Sequence, residues 1–253
     1  MLSSTIIDHK VKKYFKFLKN TKSLEKTLVN RIKINENNYL IPLSKLYLEN
    51  NDLIKKLTFY RNKFKKYYPT QFQATEISTK KWIKKLISTN NRIMFLLVNK
   101  ENSICGVIGL LKHDSSENSL EIDNVIKFKN CYEKNIFSKV LQALLIFSKE
   151  VLFIENIQLK VMSNNSRAIK YYKKNGFKIV SKIPLIKKKL KNKTVFLESS
   201  HLKISDLKKN TFFYLMKHYE FKIKKKKKLI LTGGPSISHY ETSNVEDAIR
   251  NGW

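Results

Sequence analysis

The sequence predicts an α/β (α+β) domain whose mixed sheet is mostly antiparallel, contains one parallel strand pair and is flanked by helices. Two apolar runs, residues 93–98 and 104–111, are separated by a short polar turn, which indicates an antiparallel hairpin. A strongly amphipathic helix over 136–150 then lies between strand 119–126 and strand 157–162. A helix in that place permits a crossover connection, so these two strands are expected to be parallel.

The elements before the hairpin are less regular. Residues 1–38 are interpreted as a basic, helix-prone extension, either a packing helix or a partly ordered arm. Its apolar side chains near one helix face are Val11, Phe15 and Leu18. The domain is expected to begin with a strand at 39–43 and a helix over about 44–57. Thr75 precedes a second helix, whose apolar face holds Trp82, Ile83, Leu86 and Ile87.

The elements after the hairpin complete a domain predicted to span 39–220. In strand 119–126 apolar and acidic residues alternate, so they point to opposite faces. The acidic side chains are Glu121 and Asp123. A helix after strand 157–162 is expected to end at Gly176, which has the place of a left-handed C-cap. Further strands are expected near 177–183, 193–199 and 211–217.

Charge and composition narrow the classes of function. The 51 Lys and Arg against 20 Asp and Glu give a net charge of +31, but the basic residues are almost all lysines spread along the chain. Such a spread indicates an AT-rich codon bias more than a nucleic-acid face, and no RNA-recognition or zinc-finger motif occurs. The charge favours anionic ligands instead. No apolar run approaches the roughly 20 residues of a membrane span, and no signal-peptide pattern is present, so a cytoplasmic protein is expected.

No metal site is expected. The cysteines Cys105 and Cys131 are isolated in sequence and lack metal-ligand spacing, so they are interpreted as reduced packing residues.

The segment after strand 157–162 contains the most specific motif. Asn165, Ala168 and Tyr172 recur at helical spacing, so they share one helix face, and Gly176-Phe177 closes the segment. This Asn-x-x-Ala-x-x-x-Tyr-x-x-x-Gly-Phe pattern resembles the acetyl-CoA-binding end of the GCN5-related N-acetyltransferases (GNAT family). The resemblance implies the GNAT fold with a splayed parallel strand pair, acetyl-CoA as co-substrate, and Tyr172 as the acid that protonates the CoA thiolate. The alternative is a plain strand–helix–strand unit in which Tyr172 only packs.

The resemblance also implies roles for polar residues elsewhere. Tyr60-Arg61-Asn62 resembles an aromatic-Arg-Asn signature of ribosomal-protein and amino-sugar acetyltransferases, where it helps to form the acceptor site. Glu121 and Asp123 resemble the acidic fourth strand of the family, where a carboxylate helps to deprotonate the amine. Arg61 alone is equally consistent with a surface or structural charge. Glu121 and Asp123 are equally consistent with two solvent-facing acids on a half-buried strand.

The pyrophosphate loop departs from the family pattern. The family carries a glycine-rich sequence before its long helix, whereas residues 128–137 contain no glycine. Lys134 adds positive charge, and Asn135 tolerates the left-handed conformation better than most residues. The resemblance implies that these residues contact the cofactor: Val125, Ile126, Lys134, Asn135, Ile136, Phe137, Asn165, Ala168 and Tyr172. The missing glycines also fit a degenerate, non-catalytic relative.

The C-terminal segment suggests an acceptor. Residues 221–253 are interpreted as a Lys-rich linker and a truncated fragment, in which Gly233 to Ile237 and Val245 to Trp253 resemble the start of pyridoxal-phosphate sugar aminotransferases. Such a neighbour implies that the acceptor is a nucleotide-linked amino sugar used in surface-polysaccharide synthesis. Acetylation of a protein N-terminus, as in the ribosomal-protein relatives, is the second hypothesis, and a basic nucleic-acid binder is the third.

Overall fold

The computed structural model describes residues 4–112, 118–129, 131–200 and 212–219. Within these ranges helices lie on both faces of a ten-stranded mixed sheet, which confirms the predicted fold class. The helices are α1 (Ser4–Asn20), α2 (Leu24–Val29), α3 (Asn51–Lys63), α4 (Glu76–Ser88), α5 (Ile136–Glu150) and α6 (Ser166–Lys174). The strands are β1 (Ile32–Asn35), β2 (Asn38–Pro42), β3 (Thr70–Gln71), β4 (Arg92–Asn99), β5 (Ile104–Lys112), β6 (Ser119–Lys127), β7 (Asn156–Met162), β8 (Phe177–Leu190), β9 (Lys193–Glu198) and β10 (Phe212–His218).

The sheet order is β1-β2-β4-β5-β6-β7-β10-β8-β9-β3, and its single parallel pair is β6 with β7. That pair is aligned only from Ser119 with Asn156 to Glu121 with Gln158. Both strands continue beyond this point, β6 to Lys127 against β5 and β7 along β10. The two strands therefore separate and leave an opening in the middle of the sheet.

Two apolar cores cover the faces of the sheet. Side chains from α1, α5 and α6 pack on one face, and side chains from α3 and α4 pack on the other. The predicted face of α1 is buried in the first core through Val11, Phe15 and Leu18. Strand β1, which the sequence did not predict, pairs with β2. The described part of this segment, residues 4–38, thus packs directly against the rest of the fold.

Several local predictions are confirmed by cap geometry. Thr75 caps α4 in a reciprocal capping box with Ser78. Gly176 has φ +85°, the left-handed conformation predicted for its position after α6. The faces of β6 also follow the prediction, because Leu120 and Ile122 are buried in the first core.

Other predicted boundaries of helices and strands were wrong. The helix predicted over 44–57 begins only at Asn51, because Asn50 Oδ1 accepts the Leu53 N–H at 2.9 Å and fixes the start there. Strand β8 extends to Leu190, past the predicted end at 183, since it forms a long hairpin with β9. The aminotransferase-like segment 229–253 lies outside the described residues.

The described part of the chain has no helix long and apolar enough to cross a membrane. In those same residues no group of three or more His, Cys, Asp or Glu is placed to hold a metal ion.

Candidate active site

The opening between β6 and β7 is shaped by a bulge in β6. Gly109 of β5 aligns with Asp123 and Val107 aligns with Ile126, so β6 contains one extra residue between these pairs. Asn124 lies in the bulge with φ +49°, a left-handed conformation that asparagine adopts more readily than most residues. A bulge leaves a residue outside the regular ladder and bends the strand. Backbone groups near Val125 are therefore redirected beside the opening.

The two predicted carboxylates lie at the start of this opening, on the face covered by α3 and α4. Glu121 is the last residue of β6 that aligns with β7, and it is partly exposed. Asp123 Oδ2 accepts hydrogen bonds from Arg92 Nη2 at 3.0 Å and from Asn124 Nδ2 at 2.9 Å. Gly109 provides the space for this carboxylate, because a Cβ there would lie 2.0 Å from Asp123 Oδ1.

Tyr172 is buried in the core on the side of the sheet covered by α5 and α6. Its side chain is 8% exposed, and its ring packs edge-on against Tyr171 and Phe177. Burial raises the pKa of Tyr172, and the proximity of Tyr171, Asp123 and Tyr68 raises it further. The hydroxyl therefore carries its proton throughout the neutral pH range.

Tyr68 is a further residue of this region that the sequence did not indicate, because its loop has no periodic pattern. The guanidinium of Arg61 lies 3.6 Å from the centre of the Tyr68 ring, and Arg61 Nη2 donates to the Thr70 carbonyl at 2.6 Å. Burial raises the pKa of Tyr68, against the opposing effect of Arg61. Arg61 thus fixes the Tyr68 ring, which lies within electrostatic range of Asp123 and Tyr172.

The other two residues of the aromatic-Arg-Asn triplet are also engaged by the protein itself. Asn62 makes two hydrogen bonds with the backbone of Ala74, at 2.9 and 2.7 Å. Tyr60 is buried, its ring stacks on Phe128 at 4.8 Å, and its hydroxyl accepts the N–H of Lys129 at 2.5 Å. The triplet therefore fixes the segment after α3 and the beginning of the glycine-free loop 128–135.

Side-chain anchors hold the far end of loop 128–135. The Glu133 carboxylate accepts hydrogen bonds from Asn35, Asn38 and Lys139, at 2.6 to 3.1 Å. The hydrogen bond from Lys139 lowers the pKa of Glu133. Asn135, the residue before α5, has φ +58° as the sequence suggested. These contacts fix the end of the loop, from Glu133 to Asn135, without glycine.

The start of α5 presents backbone to solvent and side chains to the core. Ile136 and Phe137 are buried, so only their backbone groups can face a ligand, whereas Lys134 is exposed. No acidic residue occupies the first turn of α5. The positive end of the helix dipole is therefore not neutralised by the helix itself.

The motif helix α6 is fixed by two polar contacts. Asn165 Oδ1 accepts the Ala168 N–H at 3.2 Å and caps the helix, while Ala168 packs half-buried against the core. Tyr171 donates its hydroxyl to the Phe137 carbonyl at 2.8 Å and joins α6 to the start of α5. Sequence analysis missed Tyr171 and Arg92, because both depend on contacts between distant elements.

Comparison with known proteins is consistent with this geometry. The family described as "Acetyltransferase (GNAT) domain" matches residues 47–178. A GNAT-family protein from Chromobacterium violaceum has a similar structure, with a TM-score of 0.57 at 13% identity over 79% of this chain and 88% of that one. An acetyltransferase from Salmonella typhimurium that modifies the N-terminal serine of ribosomal protein L7/L12 gives 0.56 at 12% identity over 75% and 98%. Spermidine N-acetyltransferase from Vibrio cholerae, solved with CoA and spermine, gives 0.52 at 15% over 72% and 95%. No curated protein matches the chain significantly in sequence.

Proposed function

The chain belongs to the GNAT acetyltransferases, and from this premise we propose that it transfers an acetyl group from acetyl-CoA to a primary amine at the opening between β6 and β7. The observation that carries the proposal is the opening itself, where β6 and β7 separate after Glu121 and Gln158 and the bulge at Asn124 bends β6. Tyr172 on α6 and the carboxylate of Asp123 on β6 influence each other electrostatically across this opening.

The backbone around the opening suits acetyl-CoA. Strands that have separated offer N–H and C=O groups to the amides of the pantetheine arm, and an N–H near Val125 or Ile126 can polarise the thioester carbonyl. The start of α5, with Asn135 and exposed Lys134, suits the pyrophosphate. We assign the backbone of Ile136 and Phe137 to the same anion-binding turn. Asn165 and Ala168 lie at the start of α6, which Tyr171 joins to the Phe137 carbonyl.

The proposed chemistry needs two proton transfers. Acetyl-CoA supplies an activated acetyl group as a thioester. Glu121 or Asp123 accepts the proton of the ammonium acceptor, directly or through water, so that the amine nitrogen can bond to the thioester carbon. As the carbon–sulfur bond breaks, Tyr172 donates a hydrogen bond and then its proton to the sulfur. The high pKa of Tyr172 keeps that proton available at neutral pH.

For the acceptor we propose a nucleotide-linked amino sugar. A groove of about 340 Å³ begins two residues after Tyr68 and is lined by Thr70, Phe72, Gln73, Asn192 and Lys193. Phe72 offers a face for a nucleobase, the amides offer partners for sugar hydroxyls, and Lys193 offers a charge for phosphate. The sequence of residues 229–253, which resembles a sugar aminotransferase, supports the same acceptor.

A protein N-terminus is the second candidate. The structurally similar Salmonella enzyme modifies an N-terminal serine, and the groove beside Thr70 is open enough for an extended peptide.

Calorimetry with acetyl-CoA on the full chain tests the first half of the proposal. Moderate salt is needed because a net charge of +31 attracts any polyanion. We expect micromolar binding, and then turnover of a nucleotide-linked amino sugar in preference to the free amino sugar, spermidine and N-terminal peptides. Absence of acetyl-CoA binding by the folded protein would refute the activity. Preferred turnover of a peptide would refute only the acceptor.

A further inference from the structure

The two cysteines of the chain lie against each other between β5 and loop 128–135, although their spacing suggested isolated packing residues. Phe128 connects their backbones: its N–H donates to the Cys105 carbonyl at 2.9 Å, and its carbonyl accepts the Cys131 N–H at 3.3 Å. The Cys105 thiol donates to the Ser103 carbonyl at 3.5 Å, and the two sulfurs are close enough for each to alter the acidity of the other within the same core cluster. The exposed fractions are 2% and 6%, so both thiols are buried.

The two thiols differ in acidity because of this contact. The interaction with Cys105 lowers the pKa of Cys131, with further help from Lys127 against the effect of burial. The same contact and burial raise the pKa of Cys105. Cys131 is next to Tyr132, whose side chain is 88% exposed, so only the thickness of a surface loop separates this sulfur from solvent.

We propose that Cys105 and Cys131 form a redox-active pair, which hydrogen peroxide or a related hydroperoxide converts to a disulfide, and that this disulfide weakens acetyl-CoA binding. The second part rests on the function proposed above.

The chemistry takes two steps. The Cys131 thiolate attacks one peroxide oxygen, the O–O bond breaks, hydroxide leaves, and Cys131 becomes a sulfenic acid. The Cys105 sulfur then attacks the Cys131 sulfur, the S–O bond breaks, and the proton from Cys105 leaves with the hydroxyl as water. Overall, two thiols lose two electrons and two protons, and one peroxide becomes two waters.

The disulfide reaches the ligand site through the loop. Cys131 is four residues before Asn135, which sets the direction of the first N–H groups of α5. A disulfide holds two sulfurs closer than a non-bonded contact does, so oxidation pulls this part of the loop toward β5. Glu133 stays tied to Asn35 and Asn38, so the residues between these fixed points must change conformation. Loss of one charge-assisted hydrogen bond to phosphate weakens binding about tenfold.

Thiol counting and calorimetry on the full chain test the proposal. The chain has 2 cysteines, so an intramolecular disulfide can only be this one. After peroxide treatment of the folded protein we expect no free thiols on denaturation, a monomer on a non-reducing gel, and acetyl-CoA affinity about tenfold lower. A dithiol reductant should restore both readings. In Cys131→Ala the same treatment should leave the affinity unchanged, which controls for damage elsewhere.

Two results would overturn the inference: two free thiols after treatment, or a complete disulfide with unchanged affinity. If the reduced protein binds no acetyl-CoA, the proposed function and the control of binding both fail. Free thiols that persist in a protein that does bind acetyl-CoA refute the redox pair alone.

Discussion

Asn135 allows a sharp test of how a glycine-free loop holds a pyrophosphate. Its φ of +58° costs an ordinary L-residue about 1–2 kcal/mol, less for Asn and nothing for Gly. We therefore expect Asn135→Ala to lower the free energy of unfolding by about 1 kcal/mol. We expect Asn135→Gly to change the free energy of unfolding by no more than a few tenths of a kcal/mol. Glycine adopts the positive φ without strain, and this gain offsets the larger backbone entropy of glycine in the unfolded chain.

The same strain should appear in ligand binding. In the alanine variant the loop can relax toward negative φ when no ligand is bound, and the part of the strain relieved in this way appears in binding instead of in unfolding. If all of about 1 kcal/mol appeared in binding, acetyl-CoA affinity would fall roughly fivefold. The glycine variant should bind about as well as the unmodified protein.

Asn102 supplies a matched control. It has φ +59° in the turn between β4 and β5, away from the opening. Asn102→Ala should lose similar stability in chemical denaturation, yet keep its acetyl-CoA affinity in calorimetry. Equal affinities for Asn135→Ala and Asn135→Gly would refute the argument that this backbone conformation orients the start of α5.

Three further predictions concern other contacts. Tyr172→Phe should lower kcat by about 10²-fold with little change in the KM for acetyl-CoA, and steady-state rates with an unchanged kcat would remove Tyr172 from the acid role. Tyr60→Phe leaves the N–H of Lys129 without its partner, so about 1 kcal/mol of stability and some acetyl-CoA affinity should be lost; equal affinity in calorimetry would contradict the link from α3 to the loop. Asp8→Asn leaves buried Lys112 without its ion pair and should cost about 3 kcal/mol at pH 7. Burial alone would raise the pKa of Asp8, but hydrogen bonds from Lys112 and Lys12 lower it. Its contribution is therefore present above about pH 4 and lost as the pH falls further, so urea denaturation should show the variant's deficit shrinking in acid.

Regular periodicity made most of the fold predictable. The apolar runs of β4 and β5, the alternation of apolar and polar residues in β6 and the apolar face of α5 each extend over several turns or pleats. One residue that departs from such a pattern does not hide it. The start of α3 was missed because residues 49–52 are all polar and several of them can serve as a cap. Strand β1 was missed because four residues are too few to show alternation.

The site was predictable only where its residues lie on periodic elements. Tyr172 occurs on a helix face and Asp123 on a strand face, so the sequence pattern indicated each of them. Tyr68 is held by stacking with Arg61, and Arg92 reaches Asp123 through the register of β4 with β5. Neither contact has a local sequence signal, because the first depends on how the loop after α3 folds back onto Arg61 and the second on strand register.

The hydrogen bonds of Glu133 have a practical consequence for anyone who shortens this protein. Asn35 is the last residue of β1 and Asn38 the first of β2, so a chain that starts near residue 39 would lose both hydrogen bonds to the loop. It would also lose α1, which fills the core on this side of the sheet. Such a fragment would retain every residue of the GNAT motif and still bind poorly. A negative result on it would reflect where the cut was made and would say nothing against the enzyme.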